Sequence, residues 1–384
     1  MSGETGSKGG AAPPFPRANP DLAGHGWAEQ RFLAAWRSGR LPHAWLIYGP
    51  PGIGKATFAF RAARFALSGG GAGGGGGLFA DGPVESLAVA TDHPVFRRVA
   101  SGGHGDLMTL ERGFVKEKNG KDDDGDTDPR DRKRRTVIRV DEVRAAGHFL
   151  RMTPAEGGWR VVVVDCADDL NPNAANALLK MLEEPPDRAL LLLVSHAPGR
   201  LLPTIRSRCC RLALKPLSED LVLGLIGRYR PDLAHADAVA LARLGEGSIG
   251  RALALAEEGG LDLYREMVAL MARLPAPAPG VHALGDRLGR QGAEAEAAFR
   301  TAIGLLAWWV SRLVREGARG RESAPVVPEE EGLGARLLAA GGVDRWMEVW
   351  EKITRLTDQT DGLNLDRKQV VLNVFHALGE AARA

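Results

Sequence analysis

Gly49-Pro50-Pro51-Gly52-Ile53-Gly54-Lys55-Ala56-Thr57 has the spacing G-x-x-x-x-G-K, and its reading decides the fold of the N-terminal part of the chain. Glycines here let backbone N–H groups converge on phosphate oxygens, and a helix starting at the loop turns its positive end towards them. Lys55 adds a point charge for the β- and γ-phosphates. The flanks agree: Ala44 to Tyr48 is a short apolar run expected to be a buried strand, and Phe58 to Leu67 reads as helix. Gly49, Pro50, Gly52, Ile53, Gly54, Lys55, Ala56 and Thr57 are therefore the expected phosphate-site residues. One position departs. A hydroxyl for Mg²⁺ is required directly after the lysine, but Ala56 stands there and Thr57 follows, about 100° further round the helix. Mg²⁺ binding and hydrolysis suffer more from this change than phosphate binding does.

A second nucleotide motif is an apolar strand ending in an acid. Val137 to Val140 leads to Asp141-Glu142, and Val161 to Val164 leads to Asp165-Cys166. Arg139 interrupts the first run. The second is continuously apolar, as a central parallel strand should be, so Asp165 is preferred as the residue that orients Mg²⁺ through water. The next position, where a water-activating carboxylate is wanted, holds Cys166.

Outward from these motifs, Trp27 to Ser38 has a helical apolar period, Glu142 to Met152 is a helix candidate, and Ala189 to Val194 is another buried strand. Asn171 to Glu184 is a helix that Asn171 can cap, Pro172 can open and Pro185-Pro186 stop. Helical segments continue from Ser218 to about Arg273. Pro275, Pro277 and Pro279 form a linker, and Ala293 to Arg315 and Val343 to Ala382 read as helices separated by Gly317 to Gly334. Strands alternate with helices before about residue 215 and only helices follow, which predicts an α/β domain with a parallel sheet and then all-α parts. Met1 to Pro16 is rich in Gly, Pro and Ala and lacks a signal-peptide core, so residues 1–20 are expected to be a disordered tail. Gly69 to Gly77 and the charged stretch Lys116 to Arg135 place a flexible, solvated insertion at about 69–135.

The remaining composition mostly excludes. A net charge of +2 over 384 residues gives no general affinity for nucleic acid. Three cysteines, Cys166, Cys209 and Cys210, form no C-x-x-C pair, so neither a disulfide framework nor zinc is expected, in keeping with a reducing cytoplasm. No apolar run approaches the roughly 20 residues of a membrane span.

Several segments together resemble bacterial clamp-loader AAA+ subunits: Leu41-Pro42-His43-Ala44, the loop Gly49 to Thr57, Asn173-Ala174-Ala175-Asn176-Ala177-Leu178-Leu179-Lys180, Leu182-Glu183-Glu184-Pro185-Pro186, and Ile205-Arg206-Ser207-Arg208-Cys209. The likeness covers about residues 25 to 255. It implies a P-loop AAA+ domain over 21–215, a small helical lid over 216–274 and a helical collar over 280–384 that joins subunits. It also implies ATP as ligand, Arg208 as an arginine finger reaching a neighbour's ATP site, Ser195 or His196 as a first sensor, and Arg251, in Gly247-Ser248-Ile249-Gly250-Arg251, as a second. The expected partners are gamma/tau- and delta-type subunits in a hetero-oligomeric ring, a sliding clamp, and primed DNA. Family motor subunits carry a complete P-loop hydroxyl, an Asp-Glu second motif and four zinc-binding cysteines. Ala56, Cys166 and the cysteine-free segment from Thr57 to Asp165 resemble the delta-prime type instead, which lends an arginine and hydrolyses little.

Overall fold

The computed structural model describes residues 13–70, 85–113, 135–156, 158–275, 279–322, 324–363 and 365–383. They divide into two compact units, Met1–Tyr229 with Gly247–Gly250, and Arg230–Glu246 with Arg251–Ala384.

In the first unit the elements run α1 (Gly26–Arg37), β1 (Ala44–Tyr48), α2 (Lys55–Leu67), α3 (Pro94–Ser101), β2 (Leu107–Glu111), α4 (Val140–Arg151), β3 (Arg160–Asp165), α5 (Pro172–Glu183), β4 (Ala189–Ser195), α6 (Pro203–Arg208), β5 (Cys210–Ala213) and α7 (Glu219–Tyr229). The five strands form one parallel sheet in the order β2-β3-β4-β1-β5. Between their ends, the central strands β3, β4 and β1 are continuously apolar because both faces are covered. Trp45, Ile47, Val161, Val163, Leu190 and Leu192 meet Phe32, Phe58 and Phe65 of α1 and α2. The alternate residues Leu46, Val162, Val164, Leu191 and Leu193 meet Val143, Ala146, Leu178 and Leu182 of α4 and α5. Each such fully buried side chain contributes about 1.5–3 kcal/mol. The parallel α/β domain followed by helices is as the sequence predicts. The Asn171 cap is present, its Oδ1 accepting the Ala174 N–H at 2.8 Å.

Four local readings change. Val137 to Val140 is not a strand: only Ile138 makes a parallel bridge, to Leu170, and α4 begins at Val140. Three apolar residues interrupted by Arg139 suit either element, and the cap decides, since the Glu142 carboxylate accepts the Arg139 N–H at 2.7 Å. The insertion assigned to 69–135 contains α3 and the edge strand β2, which pairs with β3. Its glycine-rich and charged parts at 71–84 and 114–134 lie outside the described residues. β5 was not anticipated either, because Arg211 breaks its apolar character. Of the tail assigned to 1–20, residues 1–12 lie outside the described residues, but Pro16–Ala18 form a 3-10 turn. The buried Arg64 of α2 donates to the carbonyls of Arg17 and Asn19 at 2.8 and 2.7 Å, which ties this segment down.

The second unit is helical: α8 (His235–Gly245), α9 (Ile249–Glu257), α10 (Gly260–Ala272), α11 (Gly280–Leu288), α12 (Ala293–Arg319), α13 (Leu333–Leu363) and α14 (Arg367–Ala381). α13 is broken at Gly342, whose φ of 68° is left-handed. α12 is long and apolar enough, by length and composition, to cross a membrane, which a search for unbroken apolar runs misses. It is a core helix: Phe299, Ile303, Leu306, Val310 and Leu313 are buried. Trp309 and Trp346 are buried with it, while Trp350 is exposed. The Glu330 carboxylate is sealed inside this unit, accepting from Tyr264 Oη, from Trp309 Nε1 at 2.9 Å and from the Val326 N–H at 2.6 Å.

Candidate nucleotide-binding site

In an open parallel sheet the ligand site lies beyond the carboxyl ends of the strands. There the first unit brings together the loop after β1, the acid ending β3 and the polar end of β4. The loop leaves β1 at Gly49, whose N–H donates to the Ser195 carbonyl of β4 at 3.3 Å. Gly49 has φ 150°, and a Cβ there would lie 2.3 Å from the Leu214 carbonyl oxygen, so glycine is required. Gly54 has φ 99° and caps α2, making Lys55 its first residue and putting the helix's positive end at the loop. Outside residues brace the turn. The Gly250 N–H donates to the Gly52 carbonyl at 3.0 Å. His25, buried at the start of α1, bonds through Nε2 to the Ile53 carbonyl at 2.7 Å.

Lys55 is buried, 3% exposed, and its Nζ donates to the Pro50 carbonyl at 2.5 Å. Burial pulls its ammonium down to about 8, against the opposing pull of the Asp165 and Asp168 carboxylates. A lysine whose charge is this poorly solvated has much to gain from a phosphate. Ala56 and Thr57, the next two residues of α2, are both half-buried. The strand-ending acid is Asp165, half-buried and in register with Glu111 of β2. Its sequence rival, Asp141-Glu142, sits instead in the first turn of α4, where Glu142 pairs with Arg135.

The residue the sequence reading missed is Asp168. Its carboxylate gathers four donors: Cys166 Sγ at 2.7 Å, Ser195 Oγ at 2.8 Å, and the N–H groups of His196 at 2.5 Å and Ala197 at 3.3 Å. Burial opposes its charge, but the Cys166, His196, Ser195 and Ala197 donors outweigh that and hold its carboxyl below the usual range. The Cys166 thiol, by burial first and by its bond to Asp168 second, is pushed up to about 12. It stays protonated, as a donor. Ser195, buried completely, has turned its hydroxyl to Asp168. Cys166, Asp168 and His196 have ligand atoms within 4.8 Å of one another, a spacing that could suit a metal, but their internal bonds already use the carboxylate. Asp168 follows β3 in a short 3-10 turn, Ala167–Asp169, so only a pairing across to β4 gives it meaning. No local pattern signals that.

Arg208 and Arg251 are the two remaining residues that the sequence predicts for the site. Arg208 ends α6 with an exposed side chain, its Nη2 2.8 Å from Glu183 Oε1 and its Nη1 donating to the Thr204 carbonyl at 3.1 Å. Arg251 belongs to the second unit, where its Nη1 lies 3.5 Å from Glu246 Oε2.

A family model described as "DNA polymerase III, delta subunit" matches residues 77–218. The chain is 36% identical over 190 residues to the DNA polymerase III subunit delta' of Pseudomonas aeruginosa, covering 50% of this chain and 48% of that protein. It is 30% identical over 241 residues to the subunit delta' of Escherichia coli K12, covering 63% and 60%. It is 27% identical over 292 residues to the subunit tau of the same bacterium, covering 70% and 40%. The chain thus spans about half the length of the curated relatives it matches. Over the matched residues the chain is thus similar to DNA polymerase III subunits delta' and tau, and its first unit is a parallel five-stranded α/β domain.

Proposed function

We propose that this chain is a delta-prime-type subunit of a DNA polymerase III clamp loader. It works in a ring with gamma/tau- and delta-type subunits that places a sliding clamp on primed DNA. It binds ATP more readily than it hydrolyses it, and it lends Arg208 to a neighbour's ATP site. The residues fit the phosphates of ATP: the braced loop, the amino end of α2 and Lys55 would hold them, while Asp165 and Thr57 are the candidates for Mg²⁺. When bound, ATP supplies the phosphoryl group and the binding energy that couples subunits. In this reading residues 216–274 act as the lid and 280–384 as the collar.

The observation that carries the proposal is the bond between Cys166 and Asp168. Hydrolysis needs a group that takes a proton from, or aims, the attacking water. A thiol that stays protonated to about 12 and already donates to a carboxylate can do neither. The Ser195 hydroxyl is committed to the same carboxylate. Arg208, by contrast, is exposed at a helix end, and a planar guanidinium of permanent charge suits the phosphoryl charge developing in a neighbouring site.

The similarity to tau supports a second reading, a gamma-type motor. The isolated chain separates the two. No Mg²⁺-dependent ATP turnover above that of Lys55→Ala is expected, and brisk turnover abolished by Lys55→Ala sinks the delta-prime reading. In the complex rebuilt with gamma/tau- and delta-type subunits, Arg208→Ala is expected to remove the DNA-stimulated turnover of the site it faces. A fully active complex refutes the finger.

A further inference from the structure

Glu183 ends α5, just before the Pro185-Pro186 stop, and Arg208 ends α6. The two helices pack together on one face of the sheet through Leu178, Leu182 and Ile205, all buried. Their last side chains meet, so the Arg208 guanidinium is held at two points: Nη2 by Glu183 Oε1 at 2.8 Å and Nη1 by the Thr204 carbonyl at 3.1 Å. A guanidinium is a rigid plane with five N–H donors. One anchor would let that plane swing; two anchors from different directions fix its orientation. The neighbouring Ser207 hydroxyl is likewise turned back to the Thr204 carbonyl, at 3.1 Å.

The pair has little work to do for the fold. Glu183 is 47% exposed and Arg208 37%, and ion pairs in such positions add little to stability. Its geometry matters more than its strength. A charge meant for a neighbour's phosphoryl group is worth most when it is already aimed, and a misplacement of about 1 Å can cost a hundredfold in rate.

We infer that Glu183 is a positioning residue for Arg208: together with the Thr204 carbonyl, it sets the plane in which the guanidinium is presented to the adjoining subunit. The inference rests on the arginine-finger reading above. It is tested in the full complex rebuilt with gamma/tau- and delta-type subunits, by DNA-stimulated ATP turnover with Glu183→Ala, Glu183→Asp, Arg208→Ala and the double variant Glu183→Ala/Arg208→Ala. Glu183→Ala is expected to lower kcat about fivefold, the factor an exposed ion pair of this kind can hold, with KM for ATP unchanged. Glu183→Asp recovers part of the loss, and the double variant is no slower than Arg208→Ala alone. Wild-type turnover by Glu183→Ala overturns the inference, as does a rise in KM in place of the fall in kcat. A double variant slower than Arg208→Ala also overturns it, because Glu183 would then act outside Arg208. The two readings fail separately: a disabled Arg208→Ala beside an unaffected Glu183→Ala removes only the positioning role, whereas a fully active Arg208→Ala removes the finger and this role with it.

Discussion

The loop from Gly49 to Thr57 and the strand ends carrying Cys166, Asp168 and Ser195 lie at the same edge of one sheet, yet their polar groups point to different tasks. In the loop, backbone carbonyls are tied back by His25, Gly250 and Lys55 itself, which leaves the turn set in a shape that suits phosphate. At the strand ends the donors of Cys166, Ser195, His196 and Ala197 all converge on one internal carboxylate. A site can therefore keep its grip on a ligand while the groups that would act on it are spent on holding the protein together. The two halves should separate under mutation, and the separation can be pushed from several sides.

The largest effect is expected from Asp168→Ala. It strands a buried hydroxyl and backbone N–H groups that now share one acceptor, so stability should fall by about 3–5 kcal/mol in urea unfolding, the sum of a few unmade bonds to a charged group. Affinity for an ATP analogue, measured on the folded fraction, should change little. If it collapses along with stability, the halves are one unit and the comparison breaks. Lys55→Ala is the converse. Losing a charged donor to phosphate costs about 2 kcal/mol, or roughly thirtyfold in affinity by calorimetry, and the melting temperature should not drop, since a buried charge has been removed. Unchanged affinity would mean that the loop is no cradle.

Much of this division is legible in the sequence, and the reason for the remainder is physical. The loop, its flanking strand and helix, Asp165 and the Asn171 cap are local signals: each depends on residues within a few positions. Asp168 is not. Its meaning lies in Ser195, 27 residues on, and Asp168-Asp169 after a strand reads as an ordinary polar turn. β2 is short and at the sheet edge, hidden in a stretch whose composition suggests no order. Val137 to Val140 misleads because its three apolar residues fit a strand as well as a helix start, and the Glu142 cap is visible only once the turn is formed. Arg139, which weakened the strand reading, is the residue that the cap engages.

pH sharpens the contrast. Lys55 is held near 8 in the folded chain, below its ordinary 10.5. Phosphate favours the charged amine, so affinity should be flat below about pH 8 and fall above it by up to about tenfold per pH unit. Folding has the opposite sign. The unfolded chain keeps this proton up to 10.5 and the folded chain does not, so the Lys55 contribution to stability should rise between about 8 and 10.5. The strand ends offer no matching step, because the Cys166 thiol stays protonated until about 12. Titrating binding and unfolding side by side, with Lys55→Ala as the control, checks both slopes. Affinity that stays level to pH 10 means that Lys55 is not the charge felt by phosphate.

The smallest effect expected is also the most discriminating. Ala56→Ser returns a hydroxyl to the position after the lysine, on the second residue of α2, whose side chain is half-buried. If the loop is competent and lacks only a Mg²⁺ contact, the substitution should tighten ATP about fivefold when Mg²⁺ is present and not otherwise, which is the worth of one net polar contact of about 1 kcal/mol. It should not start turnover, because the attacking water would still face a protonated Cys166 and a Ser195 whose hydroxyl belongs to Asp168. Binding with and without Mg²⁺, followed by phosphate release from the same sample, reads both expectations at once. Tighter binding without release keeps the two halves distinct. Measurable, Lys55-dependent release would mean that Ala56 alone held hydrolysis back, and that the bonds gathered on Asp168 are no obstacle to chemistry.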